Sequence, residues 1–273
     1  MLQLNTDFKK AISLPAFDYI AQAADTLQVE TYVIGGYVRD FLLEREKPKD
    51  IVIVAVGSGI DLANKVAHLL PYNPTVQIFK NYGTAMLKFE DLEIEFVGAR
   101  KESYVEHSRN PMVDRGSLQD DQNRRDFTIN AMAISLNPLN YGDLLDPFDG
   151  LTDLQNKVIR TPLDPDITFS DDPLRMMRAI RFSSQLGFEI EAGSLQSISL
   201  NATRIQIVSE ERIVDELHKI ILSDKPSVGL KLLFQTGLLP FILPELSDLQ
   251  GVERIKGQKH KDNFYHTLQV VDN

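Results

Sequence analysis

The chain has 273 residues, enough for roughly two domains, and its 43% hydrophobic content can supply a core. Its 39 acidic against 29 basic residues give a formal charge of -10. That balance excludes a general polycation attraction to nucleic acid or anionic membrane, so any RNA contact must come from a local basic patch. With no Cys there is no disulfide, thiolate-bound zinc or cysteine nucleophile, which fits a reducing compartment.

In chain order, Met1 to Asp7 has neither the basic start nor the apolar stretch of a signal peptide. The longest apolar run, Ile51 to Val56, is far short of the ~18 residues of a membrane span, so the expected location is cytoplasmic with no membrane partner. Thr31 to Ile34, Asp50 to Val56, Thr75 to Phe79, Thr84 to Phe89 and Leu92 to Val97 are predicted strands. The alternation is plain in Leu92-Glu93-Ile94-Glu95-Phe96. Near residue 150 the pattern becomes helical, over Pro173 to Gln185, Glu210 to Leu222 and Val228 to Leu233, with Gly187, Pro226, Gly237, Pro240 and Pro244 as punctuation. The expected fold class is α+β, a small mixed sheet with helices followed by an all-α continuation. No internal repeat, low-complexity tract or coiled-coil heptad is present.

Two patterns invite over-reading. Gly57-Ser58-Gly59 follows a strand as a dinucleotide fingerprint would, but Leu62 replaces the third glycine, so a strand-to-helix turn with Asp61 near the helix start is expected. The histidines at 68, 107, 218, 260 and 266 show no metal-ligand spacing and read as ordinary surface or core residues.

The chemistry concentrates in Gly35-Gly36-Tyr37-Val38-Arg39-Asp40 and, about one strand later, Lys49-Asp50-Ile51-Val52-Ile53-Val54. A Gly-Gly turn lets backbone approach a triphosphate, Arg39 can neutralise it, and Asp50 at a strand start can hold a cation. Two-ion phosphoryl transfer favours an Asp-x-Asp pair, because residues two apart on a strand face the same way and serve ions about 3.5–4 Å apart. Val52 breaks that pair. Glu95, on another strand, is a candidate further carboxylate; by spacing alone it is equally an outward-facing strand residue.

These segments occur in order with Arg124-Arg125-Asp126-Phe127-Thr128-Ile129-Asn130-Ala131-Met132-Ala133, Asp146-Pro147-Phe148-Asp149-Gly150, Asp171 to Phe182 and Glu211-Arg212-Ile213. Together they resemble the bacterial class II tRNA nucleotidyltransferase (CCA-adding enzyme) and poly(A) polymerase family, over roughly residues 25 to 245. The resemblance implies a polymerase beta-like nucleotidyltransferase head over 1–150, a helical neck and body over 151–245, and the start of an HD-like helical region over 246–273. It also implies template-independent transfer of nucleotides from CTP and ATP to a tRNA 3′ end. Mg2+ is the implied cofactor, with Asp50 and Glu95 as catalytic metal ligands. Gly35, Gly36, Arg39, Asp40, Arg125, Asp126, Asn130, Asp172, Arg175 and Arg178 are the implied nucleotide-binding residues.

Cytosine and adenine both present an amino donor beside a ring-nitrogen acceptor, and an Asp acceptor with an Arg donor matches that pattern. The resemblance assigns this base-reading role to Asp172 and Arg175, with Arg178 contributing. Residue chemistry alone makes Asp172-Pro173 a helix start and the arginines a solvated face, with Leu174 and Met177 turned inward. Arg125, Asp126 and Asn130 would contact the incoming ribonucleotide, in a short run entering a helix that Asp126 could cap. Glu211 and Arg212 would support the nucleotide-binding helix, or are a salt-bridged helix start.

Two departures qualify the resemblance. Val52 cannot replace an oxygen ligand, so turnover is expected to be severely reduced while nucleotide binding survives. Lys259 to Gln269 resembles the entry to an HD-type domain without its downstream His-Asp cluster, so no phosphohydrolase activity is expected and the RNA-gripping tail is expected to be missing. A bacterial poly(A) polymerase and a catalytically silent nucleotide- or tRNA-binding protein are the alternative readings. Oligomeric state has no signature in the sequence.

Overall fold

The alternating residues of the N-terminal half build a seven-stranded sheet. The structure, a computed structural model, describes residues 7–45, 50–80, 82–105, 108–251, 254–255, 258–259 and 262–273; Lys49, His107, His260 and Lys261 lie outside these. The sheet strands are β1 (Thr31–Ile34), β2 (Asp50–Ala55), β3 (Gln77–Phe79), β4 (Thr84–Phe89), β5 (Leu92–Gly98), β6 (Ala133–Ser135) and β7 (Leu144–Leu145), in spatial order β3-β4-β5-β2-β1-β6-β7. β2 pairs with β5 in parallel, and the neighbouring pairs are antiparallel. The expected strands are thus present, β3 starting later than the sequence pattern suggests, as an exposed edge.

Because side chains alternate, the register sorts them into two faces. Val33, Ile51, Ile53, Ala85, Leu87, Ile94 and Phe96 are buried on one, under the amphipathic helices α1 (Pro15–Leu27) and α3 (Gly59–Leu69). On the other, Tyr32, Ile34, Val54, Val97 and Ala133 form a smaller apolar cluster with Leu118, and half-buried Val52 packs against it. Asp50 and Glu95 are exposed on that second face.

Gly57-Ser58-Gly59 is the strand-to-helix turn expected. The Ser58 hydroxyl accepts from the Asp61 N–H at 3.1 Å and caps α3. A Cβ on Gly59 would lie 2.7 Å from the Val97 backbone, so the glycine permits α3 to lie against β5. The remaining head helices are α2 (Gly36–Leu42), α4 (Leu118–Asn123) and α5 (Gly150–Asn156).

Backbone contacts divide the chain into two compact units, the first comprising 1–103 and 112–156, the second 104–111 and 157–273. The first thus runs past the change of pattern near residue 150, because α5 packs on the turn at Thr128–Asn130. The second is mainly helical: α6 (Pro165–Asp171), α7 (Leu174–Leu186), α8 (Ala192–Asn201), α9 (Glu210–Ile221), α10 (Pro226–Gln235), α11 (Leu239–Ile242), α12 (Pro244–Ser247) and α13 (Asn263–Val271). Short pairings join Val158–Ile159 to Glu189–Ile190 and Arg254–Ile255 to Gln258–Lys259.

α7 is the centre of this unit. It packs on α9 and α10, and its Arg181 Nε donates to Glu216 of α9 at 2.5 Å while Arg181 also stacks on Phe182. Glu211 and Arg212 are exposed in the first turn of α9, so the polar tie to α7 falls to Glu216 instead. At the far end, the Asp262 carboxylate accepts from Phe264 and Tyr265 N–H groups and caps α13, whose Phe264 packs on Phe234 of α10. No helix among the described residues is long and apolar enough to cross a membrane.

Two stability predictions follow from these contacts. Gly59→Ala should destabilise the protein by about 1–3 kcal/mol through overpacking against β5, read as a fall of several degrees in the thermal midpoint. Glu216→Ala should cost about 3–5 kcal/mol in denaturant unfolding, because it removes one partner of a buried ion pair; Glu216→Gln, which keeps a hydrogen-bond acceptor, should cost less.

Candidate active site

The site begins where β1 ends. Ile34 is paired with Val52, so the next two residues, Gly35 and Gly36, turn away beside the start of β2. Gly35 has φ +87°, a backbone conformation that glycine adopts without strain. Each glycine faces a guanidinium group: a Cβ on Gly35 would sit 3.1 Å from Arg125 Nη1, and one on Gly36 would sit 3.5 Å from Arg39 Nη2.

Arg39 reaches the turn already engaged. Its Nε and Nη2 donate to the two carboxylate oxygens of Asp40 at 2.9 Å each, and its Nη1 donates to Asn130 Oδ1 at 2.8 Å. Asn130 Nδ2 donates in turn to Asp126 Oδ1 at 3.0 Å, which also accepts the Phe127 N–H. Arg39, Asp40, Asn130 and Asp126 therefore form one largely buried polar network, in which the arginine is fixed in place and its charge is balanced by Asp40.

The segment carrying Asp126 and Asn130 differs from the sequence expectation. Instead of entering a helix, it makes one 3-10 turn, Thr128–Asn130, and passes into β6 at Ala133. The apolar spacing of Ile129, Met132 and Ala133 mimics a helical face, but all three are buried and the strand pairing to β1 ends the turn. The N-cap of this turn is Phe127, without a side-chain cap bond, and Asp126 ties Asn130 to the backbone. The Asp146-Pro147-Phe148-Asp149-Gly150 motif supports the same turn. Asp146 accepts the Gly150 and Leu151 N–H groups at 2.7 and 2.8 Å, Thr128 Oγ1 donates to Asp153 at 2.7 Å, and a Cβ on Gly150 would lie 2.5 Å from the Thr128 carbonyl oxygen.

Sequence reasoning missed Asp121, the group that holds Arg125. Its fully buried carboxylate accepts from Arg124 Nε at 2.9 Å and from Arg125 Nη2 at 2.9 Å. Burial pushes the Asp121 pKa up, but the Arg125 and Arg124 charges outweigh it and hold the carboxyl below its ordinary value. The available signal was the spacing Asp121-x-x-Arg124-Arg125, which at the end of α4 sets one acid against two bases three and four residues on. Gln122, also missed, donates to the Ala131 and Leu145 carbonyl oxygens and fastens α4 to the sheet end.

Asp50 and Glu95 enter from adjacent strands. Parallel pairing sets Asp50 beside Glu93 and Val52 beside Glu95, so Asp50 and Glu95 share a face and lie diagonally, their Cα atoms roughly 8 Å apart by strand spacing. Lys88 occupies the same face and is paired to Glu93 at 2.6 Å. Among the described residues no group of three carboxylates or imidazoles converges on one point. The donor set therefore does not fit a pair of ions. Asp50 and Glu95 are hard oxygen donors of the kind a single divalent cation takes.

In the second unit, Asp172 stands between α6 and α7. Its Oδ1 accepts the Leu174 N–H at 3.3 Å and its carbonyl oxygen accepts the Arg175 N–H at 3.0 Å. The helix starts at Leu174 rather than Pro173, because Pro173 takes the cap position and Asp172 still belongs to the end of α6. Asp172, Arg175 and Arg178 form a half-buried stripe, while Leu174, Met176 and Met177 are buried. The Arg178 guanidinium lies 5.5 Å from the Phe182 ring centre. His68, His218 and His266 are exposed.

Comparison with known proteins places this geometry. Residues 31–160 match a family model described as the poly A polymerase head domain, and 187–249 match one described as a probable RNA and SrmB-binding site of polymerase A. The chain is 40% identical over 200 residues to an A-adding tRNA nucleotidyltransferase of Aquifex aeolicus, spanning 72% of this chain and 24% of that one. It is 35% identical over 251 residues to a CC-adding tRNA nucleotidyltransferase of Halalkalibacterium halodurans, spanning 89% and 60%. The fold superposes on the Thermotoga maritima CCA-adding enzyme complexed with tRNA with a TM-score of 0.76 at 30% identity, covering 88% of this chain and 56% of that one. The chain thus spans less than two thirds of these relatives. Head motifs, helical match and superposition agree: the chain belongs to the tRNA nucleotidyltransferase and poly(A) polymerase family.

Proposed function

We propose that this chain is a template-independent tRNA nucleotidyltransferase of the cytoplasm, adding CCA, or CC or A, to tRNA 3′ ends from CTP and ATP. The observation that carries the reading is the register of β2 on β5, which sets Asp50 and Glu95 on one exposed sheet face next to the glycine turn. In this reading residues 1–150 are the catalytic head, 151–245 the neck and body with the nucleotide-selecting helix α7, and 246–273 the start of an HD-like region.

The reaction joins the RNA 3′-oxygen to the α-phosphorus of the nucleotide and breaks the bond to the β-phosphate, releasing pyrophosphate and the hydroxyl proton. Mg2+ held by Asp50 and Glu95 would supply charge neutralisation at the triphosphate and acidify the attacking hydroxyl. Gly35 and Gly36 admit the phosphates to the backbone, and Arg125, braced by Asp121, presents positive charge there. Arg39, Asp40, Asp126 and Asn130 form the preorganised wall that meets the ribose. Asp172 accepts the exocyclic amino group of cytosine or adenine, Arg175 donates to the adjacent ring nitrogen, and Arg178 supports the nucleotide from the next turn.

Val52 limits this chemistry. Labelled CTP and ATP should be incorporated by Val52→Asp into a short C,C,A end on tRNA lacking its terminus, while the given chain should be slower by on the order of 100-fold or more. Long A tails from ATP alone would instead identify a poly(A) polymerase. Base choice should depend on α7: Arg175→Ala should weaken CTP and ATP binding by roughly 10- to 100-fold, measured by nucleotide titration. Asp172→Asn, which exchanges an acceptor for a donor, should admit UTP; unchanged discrimination would remove the base-reading role.

A further inference from the structure

We propose that Val52 makes the carboxylate face a single-cation site, one that holds a nucleoside triphosphate but lacks the ligand for a second ion. The inference rests on the nucleotidyltransferase reading and deepens it.

Position 52 is the shared corner of the donor set. It lies directly across from Glu95 and two residues along the same strand from Asp50, so a carboxylate there would neighbour both. With Val52 in place, Asp50 and Glu95 are separated by the diagonal of the sheet. Two carboxylates with triphosphate oxygens satisfy one Mg2+, which commonly keeps several waters. A second ion would find at position 52 an isopropyl group that offers it no oxygen.

The rest of the site is independent of position 52. The Asp121 clamp holds Arg125 from α4, and the Asp40–Arg39–Asn130–Asp126 bonds join α2 to the turn at Thr128–Asn130. Triphosphate recognition therefore survives the loss of the ligand. Val52 also gains something of its own, since its methyl groups pack on the apolar cluster of Ile34, Val54 and Ala133. An aspartate there would add a carboxylate to a face that already carries Asp50, Glu93 and Glu95 and turn it against apolar neighbours, so the metal-free sheet is more stable with valine.

The test counts ions. The full chain and Val52→Asp are each saturated with a CTP analogue whose α,β-bridge is methylene, and bound Mn2+ is measured by electron paramagnetic resonance. One Mn2+ per nucleotide complex in the given chain and two in Val52→Asp are expected. Thermal unfolding gives a second readout: in EDTA the variant should melt several degrees below the given chain, and Mn2+ with nucleotide should raise its midpoint by more. Two ions in the given chain, no added ion in the variant, or identical melting and identical gain with Mn2+ would each overturn the inference. Should Val52→Asp not fold, the count in the given chain decides, and Val52→Asn supplies an oxygen ligand without the charge. If neither chain binds the CTP analogue or ATP, the nucleotidyltransferase reading itself falls.

Discussion

The parallel pairing of β2 with β5 is the constraint from which the candidate site follows. Parallel neighbours cannot be joined by a tight turn and need a long crossover, here supplied by α3 and the β3–β4 hairpin. The crossover buries Ile51, Ile53, Ile94 and Phe96 under the helices, and that burial fixes which residues face the other way. A slip of one residue would exchange the two sets, placing Asp50 and Glu95 in the apolar layer and Ile51 and Ile94 outside. The hydrophobic side of the sheet therefore specifies the chemical side. Gly59 belongs to the same constraint, since its missing side chain lets α3 sit against the β5 backbone.

Around that sheet the polar groups are organised by pairing rather than by exposure. Asp121 is buried, and its charge is tolerated because two guanidinium groups meet it. The result is a fixed Arg125 beside Gly35, in an otherwise acidic chain whose overall charge would repel a triphosphate. Local geometry thus sets a positive group beside the glycine turn in spite of the net charge. Arg181 and Glu216 do comparable work in the second unit, where they join α7 to α9 and leave the Asp172, Arg175 and Arg178 stripe on a supported helix.

What the sequence revealed follows from this division. The strands were legible because alternation reports a half-buried sheet directly, as in Leu92-Glu93-Ile94-Glu95-Phe96. Gly35, Arg39, Asp126 and Asn130 were legible as a group through their motif. Their mutual bonds were not, because Arg39 and Asn130 lie far apart in the chain and meet only through packing. The turn at Thr128–Asn130 was misread as the start of a helix because a short apolar run carries the same periodicity whether it is wound or buried from both sides. Asp121 was hidden for the opposite reason: an acidic residue in a polar helix ordinarily faces water, and nothing local announces that this one is enclosed. Glu216 was passed over for Glu211 in the same way, although only Glu216 turns toward α7.

Val52 separates two properties that the family motifs present together. Holding a nucleotide requires donors and positive charge arranged before it arrives, and the proposed function draws those from the glycine turn, Arg125 and the network around Asn130. Transferring it requires oxygen ligands where charge develops, and the proposed function draws those from the β2–β5 face. On the proposed reading the two sets sit on different elements, so one can be depleted while the other stays in place. Val52 packs on the apolar cluster beside that face, where a carboxylate would lie next to Asp50 and Glu95. On the proposed reading a carboxylate at position 52 would serve an ion at the expense of packing, which is the balance expected wherever like charges are gathered to hold a ligand.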